Sequence, residues 1–435
     1  MLKVVKFGGS SLADEGQFKK VKAIVTRDES RRIIVVSAVG KRHKDDHKAT
    51  DLLYLCFAHL KYGMEASSVF DIVKRRYLEI EKELGIDAGI KEELDRIEGE
   101  LHKGINEDYL VSRGEYLSAK IMAKYLGYTF VDASKIIYFN YDGTPNSPRI
   151  KKALEEVVSI SSKIVVPGFY GVYPDGTYHL FSRGGSDVTG SLLAQALNAD
   201  IYENWTDVSG FFVTDPKIVE NPKRIKEISY AELRELSYMG ANVLHEETIF
   251  PLQELDIPIN VRNTNHPEEG GTIISASPKD REQVITGITG KRNYSSITII
   301  KKSRFSKLEA MKEVLEIFSR YGVEVEHMPS SIDTFSLIID NEKFHKHLYE
   351  TIAEIKKLPE VEEVIVESGI ALIAIIGRNM ATKTGMSAKL FSVFGENKIN
   401  IKVIAQASQE LSIIVGVDDN DFTRAIKAIY AALVK

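Results

Sequence analysis

Through residues 1–285, short runs rich in Val and Ile alternate with helical stretches, and this rhythm constrains the fold more than any other feature. Strands are expected at Lys3–Phe7, Arg32–Ser37, Thr129–Asp132, Ile164–Phe169, Tyr178–Phe181, Ile201–Trp205 and Ile259–Arg262. Most are continuously apolar rather than alternating, which suits strands covered on both faces. Helical patterns fall between them, at Leu52–Leu84, Glu92–His102, Arg113–Leu126, Asp187–Leu197 and Tyr230–Leu244. The expectation is an α/β sandwich on a mainly parallel sheet, with the helical residues 52–108 inserted so as to cap one end of it.

After the polar segment Ser277–Arg281 the rhythm changes to strand, helix, strand, strand, helix. A shift of 76 residues carries Ile297–Ile300 onto Ile373–Ile376, Val314-Leu315 onto Leu390-Phe391 and Phe318 onto Phe394. The same shift carries Val323–Val325 onto Ile399–Ile401 and Phe335–Ile339 onto Leu411–Val415. Four elements in one ungapped register read as a duplication, here of a ferredoxin-like βαββαβ unit. The domain limits expected are 1–285, 290–366 and 367–435.

Composition narrows the partners. With 435 residues, 43% hydrophobic and 27% charged, the chain is an ordinary globular protein of several domains. A net charge of −5 without a long basic block argues against nucleic acid. One cysteine, Cys56, permits no internal disulfide and reads as a core thiol in a reducing compartment. The chain starts directly on a strand, with no secretory pattern, and its most apolar run, Ile370–Gly377, is far too short for a membrane span. A cytoplasmic protein is expected. His43 and His47 have the spacing of a helical metal pair, but they sit among Lys41, Arg42, Lys44 and Lys48, which repel a cation.

Chemistry-bearing residues gather where strands end. The first strand runs into K-F-G-G-S-S, residues 6–11. Gly8, Gly9 and Ser10 expose backbone N–H groups that can curl around an anion, Lys6 adds a charge, and a helix expected near Asp14 adds its positive end. No G-x-x-x-x-G-K-[ST] occurs, so any phosphate binding is not of Walker type. A Gly-Gly after a strand is otherwise simply a turn. At Ser182–Thr189 (S-R-G-G-S-D-V-T), Arg183 offers a bidentate fork, and Ser186 or Asp187 is placed to cap the next helix. Asn204–Lys217 (N-W-T-D-V-S-G-F-F-V-T-D-P-K) offers hydroxyls, aromatic faces and a lysine for a nucleotide, or else ordinary turn chemistry. In V-S-R-G-E-Y-L-S, residues 111–118, Glu115 is expected in the first turn of a helix, serving its dipole or receiving a ligand ammonium.

Taken in order, these clusters resemble those of the aspartate kinases, members of the amino acid kinase family: K-F-G-G-S-S at 6–11, S-R-G-E at 112–115, R-G-G-S-D at 183–187, W-T-D-V-x-G at 205–210, T-D-P-K at 214–217, then tandem ACT modules. The resemblance covers essentially the whole chain. It implies an amino-acid-kinase-like αβα sandwich followed by two ACT domains, and ATP- and Mg²⁺-dependent phosphorylation of the side-chain carboxylate of L-aspartate, the first step toward lysine, threonine and methionine. It further implies Lys6 and Asp187 at the reaction centre; Ser37, Thr50, Glu115, Arg183 and Ser186 around aspartate; and Gly8, Gly9, Ser10, Thr206, Asp207, Phe212, Asp215, Pro216 and Lys217 around ATP. No metal ligand from the protein is singled out. An amino-acid effector, lysine or threonine, would bind near Met328, Ser330, Ser331, Asp333, Gln406 and Ser408, and the ACT repeats imply at least a homodimer.

Three departures stand out. Gly240–Glu246 reads G-A-N-V-L-H-E, so Asn242 replaces a lysine that many relatives direct at ATP; either Lys217 or the Lys223-Arg224 pair compensates, or ATP binding is weaker. Phe212 stands where a tyrosine is common, and Ile332 where some lysine-sensitive members are acidic. The loop Gly40–Ala49 is long and basic, suited to a lid. A non-catalytic amino-acid sensor, and a kinase with another carboxylate acceptor, remain open at this level. The end at Lys435, directly after the second repeat, leaves no room for a fused homoserine dehydrogenase.

Overall fold

The computed structural model describes residues 1–101, 103–182, 184–240, 244, 246–279, 284–344, 346–378, 380, 383–406 and 411–434. The chain divides into two units. The first comprises Met1–Phe211, Lys226–Tyr230 and Val243–Lys279; the second comprises Phe212–Ile225, Ala231–Asn242 and Asp280–Lys435. No described helix is long and apolar enough to cross a membrane.

In chain order the elements to residue 160 are β1 (Lys3–Phe7), α1 (Glu15–Thr26), β2 (Arg31–Val36), α2 (Ala49–Lys61), α3 (Ser67–Glu83), α4 (Ile90–Leu101), α5 (Glu107–Leu126), β3 (Thr129–Phe130) and α6 (Ser147–Ile160). There follow β4 (Ile164–Pro167), β5 (Tyr170–Val172), β6 (Tyr178–Leu180), α7 (Gly185–Ala196), β7 (Ile201–Thr206), β8 (Glu227–Ser229), α8 (Tyr230–Tyr238), α9 (Glu246–Gln253), β9 (Ile259–Asn263) and β10 (Thr272–Ser275). An eight-stranded sheet runs β3-β4-β2-β1-β7-β9-β10-β8. It is parallel except where β10 meets β9. The strands β1 and β2 lie at its centre, and Val4, Val5 and Ile33–Val36 have no solvent exposure, as strands covered on both faces require.

Several boundaries differ from the sequence expectation for local reasons. The stretch Leu52–Leu84 is two helices, because Gly63 takes φ 69° and the Met64 N–H turns back to the His59 carbonyl, closing a left-handed helix end. Tyr178–Leu180 pairs with Tyr170–Val172 in a separate hairpin rather than joining the main sheet. The short strands β8 and β10 escaped notice because three or four residues carry little periodic signal.

The second unit contains β11 (Gly287–Lys301), α10 (Lys307–Arg320), β12 (Thr334–Asp340), α11 (Asn341–Phe344), α12 (Leu348–Ile355), β13 (Val361–Ile376), α13 (Met386–Glu396), β14 (Ile401–Ala405), β15 (Ser412–Asp418) and α14 (Phe422–Leu433). Its antiparallel sheet runs β12-β11-β13-β15-β14. The repeat is present, with α10 matching α13 and β12 matching β15, but the two copies share strands. Residues Tyr294–Lys301 of β11 pair with the first half of β13, while Gly287–Lys291 pair with its second half. The chain thus reaches the second module, crosses into the first, and returns. One expected strand is absent: Val323–Val325 forms no ladder, and the following residues contribute only isolated bridges at His327 and Ser330. Val323 itself packs with Val314, Phe318 and Phe335 in the first module's core.

Candidate active site

The carboxyl ends of β1, β2, β4 and β7 lie along one edge of the first sheet, and the turns leaving them enclose a cleft of ≈ 930 Å³. Its walls include Lys6, Gly8, Gly9 and Ser10 after β1, Ser37 after β2, Thr50 at the start of α2, and Glu115 from α5. Ser186 and Asp187 from α7, with Thr206 and Asp207 from the end of β7, complete that set. Eleven residues singled out from sequence are therefore brought together. Arg183 and Asn242 lie outside the described residues.

At the base of the cleft, the Lys6 Nζ stands 2.5 Å from Asp187 Oδ1. Asn204, beside Lys6 in the β1–β7 register, donates to the same oxygen at 3.0 Å. The expectation that Ser186 or Asp187 caps α7 is corrected: the cap is Gly184, at φ 67°, and it makes no side-chain cap bond. Asp187 sits inside the first turn, so its carboxylate is directed to Lys6 rather than to the helix end. The turns after β1 and β2 touch backbone to backbone. The Gly40 N–H donates to the Gly9 carbonyl at 3.0 Å, and a Cβ at Gly40 would lie 2.4 Å from the Gly9 carbonyl carbon. Only glycine permits that approach.

Glu115 is the largest departure from expectation within the cleft. Asn106 caps α5 through the Tyr109 N–H, so the helix begins at Glu107 and Glu115 lies in its third turn, away from the dipole's positive end. Burial pushes its carboxyl up to about 8, against the opposing pull of the Ala38 backbone N–H. Its Oε2 is buried and has no hydrogen-bond partner among the described residues. A buried acid with an unmet oxygen, opening on a cleft, is chemically suited to receive a cation, and it stands too far along the helix to serve its dipole.

Other features were missed or misjudged from sequence. Phe169 lines the cleft with φ 79°, a strained conformation for a bulky residue, held by its N–H donating to Thr189 Oγ1 at 3.0 Å. The Gly168 that interrupts the expected strand was the available signal. Lys41 and Lys48 also face the cleft. The indole of Trp205, by contrast, is core: it stacks on Phe7, lies beneath the Arg262 guanidinium and donates to the buried Glu203 at 2.8 Å. It offers no platform for a base.

Phe212, Asp215, Pro216 and Lys217 belong to the second unit. There Phe212 bridges to Arg224, the Val213 N–H donates to the Lys223 carbonyl at 2.9 Å, and Asp215 accepts from the Lys217 N–H at 2.8 Å. The T-D-P-K segment is thus a side-chain-closed turn. In the same unit, Lys301 holds Asp333 at 2.9 Å, and Lys307 donates to Ser330 Oγ and the Ser331 carbonyl. Met328 and Ile332 are exposed, Gln406 follows β14, and Ser408 lies outside the described residues.

A lysine at a glycine turn, paired with an aspartate at the edge of a mainly parallel sheet and followed by shared antiparallel modules, defines a kinase-type fold with regulatory repeats. The amino acid kinase family profile matches residues 1–263, and an ACT domain profile matches 373–433. Aspartokinase 3 of Bacillus subtilis is 35% identical, over 99% of this chain and 98% of its own. The crystal structure of Clostridium acetobutylicum aspartate kinase, described as an allosteric enzyme, superposes with a TM-score of 0.92 at 46% identity, covering 99% of each chain. Escherichia coli aspartokinase III, 26% identical and covered in full both ways, superposes with TM-scores of 0.73 in its complex with aspartate and ADP and 0.76 in its complex with lysine and aspartate. The chain belongs to the aspartokinases of the amino acid kinase family.

Proposed function

We propose that the protein transfers the γ-phosphoryl group of ATP to the side-chain carboxylate of L-aspartate, giving 4-phospho-L-aspartate and ADP. The observation that carries this reading is the joint presence, in one cleft, of the Lys6–Asp187 pair and the buried, half-satisfied Glu115. Kinship with proteins crystallised with aspartate and ADP supports it.

The acceptor carboxylate is ionised near neutral pH, because its reference pKa is about 3.9, and needs no general base. Its oxygen attacks the γ-phosphorus, the bond to the β–γ bridging oxygen breaks, and ADP departs with that electron pair. The difficulty lies in bringing two anions together, so catalysis rests on positioning and charge. Lys6 neutralises charge on the transferring group and the N–H groups of Gly9 and Ser10 receive its oxygens, whereas the expected Gly8 N–H is already given to the Trp205 carbonyl at 3.0 Å. Asp187 holds the Lys6 ammonium in place. Glu115 takes the aspartate ammonium, Ser37, Thr50 and Ser186 line the acceptor, and Arg183 grips a carboxylate. Thr206 and Asp207, on the cleft wall, hold the nucleotide.

Mg²⁺ fits the donor set. Among the described residues that line the cleft, the carboxylates are Asp51, Glu115, Asp187 and Asp207, and Mg²⁺ commonly takes one or two carboxylates with substrate phosphate oxygens and water. Bound there, it would offset phosphate charge. The paired ACT modules support regulation by an amino acid, lysine or threonine, bound near Met328–Asp333 and Gln406, and association at least into dimers. A cytoplasmic setting agrees with a single, buried thiol, Cys56.

A hydroxamate assay with Mg-ATP over aspartate, glutamate and other carboxylic acids tests the reaction. Aspartyl hydroxamate should form only with aspartate, and no product with any acid would leave an amino-acid sensor. Titration of lysine, threonine and methionine tests regulation; a response to none would remove the effector site.

A further inference from the structure

The cleft's rim is held by two adjacent residues that never enter it. Arg76 and Tyr77 lie on α3, in the inserted helices, and both are buried. The Tyr77 hydroxyl donates to the Gly114 carbonyl at 2.8 Å and accepts the Val39 N–H at 3.4 Å, tying α5 to the strand end that carries Ser37. The Arg76 guanidinium does more. Its Nη2 donates to the Gly40 carbonyl and its Nη1 to the His47 carbonyl, both at 2.5 Å. Nη2 also stands 3.4 Å from the Asp46 carboxylate, which in turn holds Arg42 Nε at 2.9 Å. One planar fork thus joins the two ends of the loop between β2 and α2.

The residues next to those two carbonyls are Lys41 and Lys48, and both face the cleft. A buried arginine is costly to desolvate unless its donors are well used. Here both Nη groups are used on the backbone of one loop, while Nε is buried without a partner among the described residues, and the two N–H directions of the fork suit that task where a lysine ammonium does not. We propose that Arg76 is a positioning residue: it latches the 40–48 loop so that Lys41 and Lys48 present their charges to the anionic substrates. The inference rests on the phosphotransfer reading above. It gives the inserted helices a role in the reaction beyond capping the sheet.

The test uses the full chain with Arg76→Lys, Arg76→Met and Asp46→Asn, beside a Lys41→Ala/Lys48→Ala double variant. Turnover with aspartate and Mg-ATP is measured together with the rate of tryptic cleavage between residues 41 and 48. Arg76→Lys should raise KM for the substrates about tenfold with kcat changed less than about threefold, and should speed cleavage severalfold. The lysine double variant should raise KM comparably and add little on top of Arg76→Lys, because both act through one element. Unchanged cleavage would overturn the latch. Faster cleavage at unchanged KM, or fully additive effects, would overturn the role given to the lysines. Should Arg76→Met fail to fold, Arg76→Lys and Asp46→Asn carry the same readouts. A wild-type chain without kinase activity would instead remove the reaction, leaving the cleavage measurement to judge the latch by itself.

Discussion

Replacing Glu115 by Gln should stabilise the fold while disabling the substrate site, with both effects following pH in a defined way. The folded protein keeps this carboxyl protonated to about 8, whereas its ordinary value is 4.5. The stabilising effect of holding that proton is complete below 4.5, erodes as pH rises, and is gone above about 8, because the unfolded chain's carboxyl ionises from about 4.5 upward while the folded one is kept protonated until about 8. The full difference corresponds to roughly 5 kcal/mol, an upper bound because the site can relax or admit water. A Gln side chain carries no such penalty. The melting temperature of Glu115→Gln should therefore exceed that of wild type by a margin that grows between about pH 5 and pH 8 and then levels off. Thermal scans of both proteins across that range read this directly.

The same proton governs binding. If Glu115 receives the substrate ammonium, it must ionise, and its proton must leave. Apparent affinity for aspartate should improve about tenfold per unit below pH 7 and about fivefold from pH 7 to pH 8. Calorimetry near pH 7 in two buffers of different ionisation enthalpy should register close to one proton released per aspartate bound. Glu115→Gln should lose both the affinity and the proton. A variant whose stability margin is flat with pH would refute the buried-acid argument, and one that binds aspartate normally would refute the receptor role.

Two further outcomes follow from the cleft geometry. Lys6→Ala should lower kcat by about two orders of magnitude, as loss of one charge-stabilising group at a reacting centre typically does; steady-state turnover checks it, and unchanged kcat would remove Lys6 from the mechanism. Gly40→Ala should cost about 1–3 kcal/mol and much of the activity, since its methyl group would drive the two glycine turns apart; denaturant unfolding beside turnover would show whether the turns do pack so closely.

What could be read from the chain alone follows the length of each signal. The central strands β2 and β4 carry continuous apolar runs, β1, β7 and β9 carry shorter ones interrupted by polar residues, and all five came out within a few residues, whereas β8 and β10 are too short to be periodic. The cleft was legible where glycine turns follow strands, so Lys6, Gly8, Gly9, Ser10, Ser186 and Asp187 could be named. Glu115 was found but misread, because the start of α5 depends on an Asn106 cap followed by mixed polar residues rather than on an apolar stripe. Phe169, Lys41 and Lys48 were not assigned to the cleft, since their exposure to it depends on how the β2–α2 and β4–β5 turns are held. That is decided by Arg76, Tyr77 and Thr189, residues distant in sequence that carry no motif of their own. Sharing of β11 and β13 between the two modules was hidden for the same reason: a repeat shift shows what is duplicated, not which strand pairs with which.

The ionisation of Glu115 also bears on how the site tells aspartate from acids of similar shape. At pH 7, deprotonating a carboxyl held near 8 costs on the order of 1 kcal/mol, and a charge-assisted hydrogen bond to an ammonium returns roughly 1.5–3 kcal/mol. Aspartate can therefore meet that cost with its own amine. Succinate, with two carboxylates and no amine, cannot; it leaves Glu115 protonated and Oε2 unmet, and adds an anion beside any Glu115 that has ionised. The ratio of kcat/KM for aspartate to that for succinate should accordingly widen from pH 6 to pH 8, by roughly tenfold or more, because only the aspartate term gains as Glu115 ionises. In Glu115→Gln the ratio should be small and flat. A ratio that stays constant with pH in the wild-type enzyme would mean that the ammonium is recognised elsewhere, and that the buried acid of α5 serves the packing of the inserted helices rather than the choice of substrate.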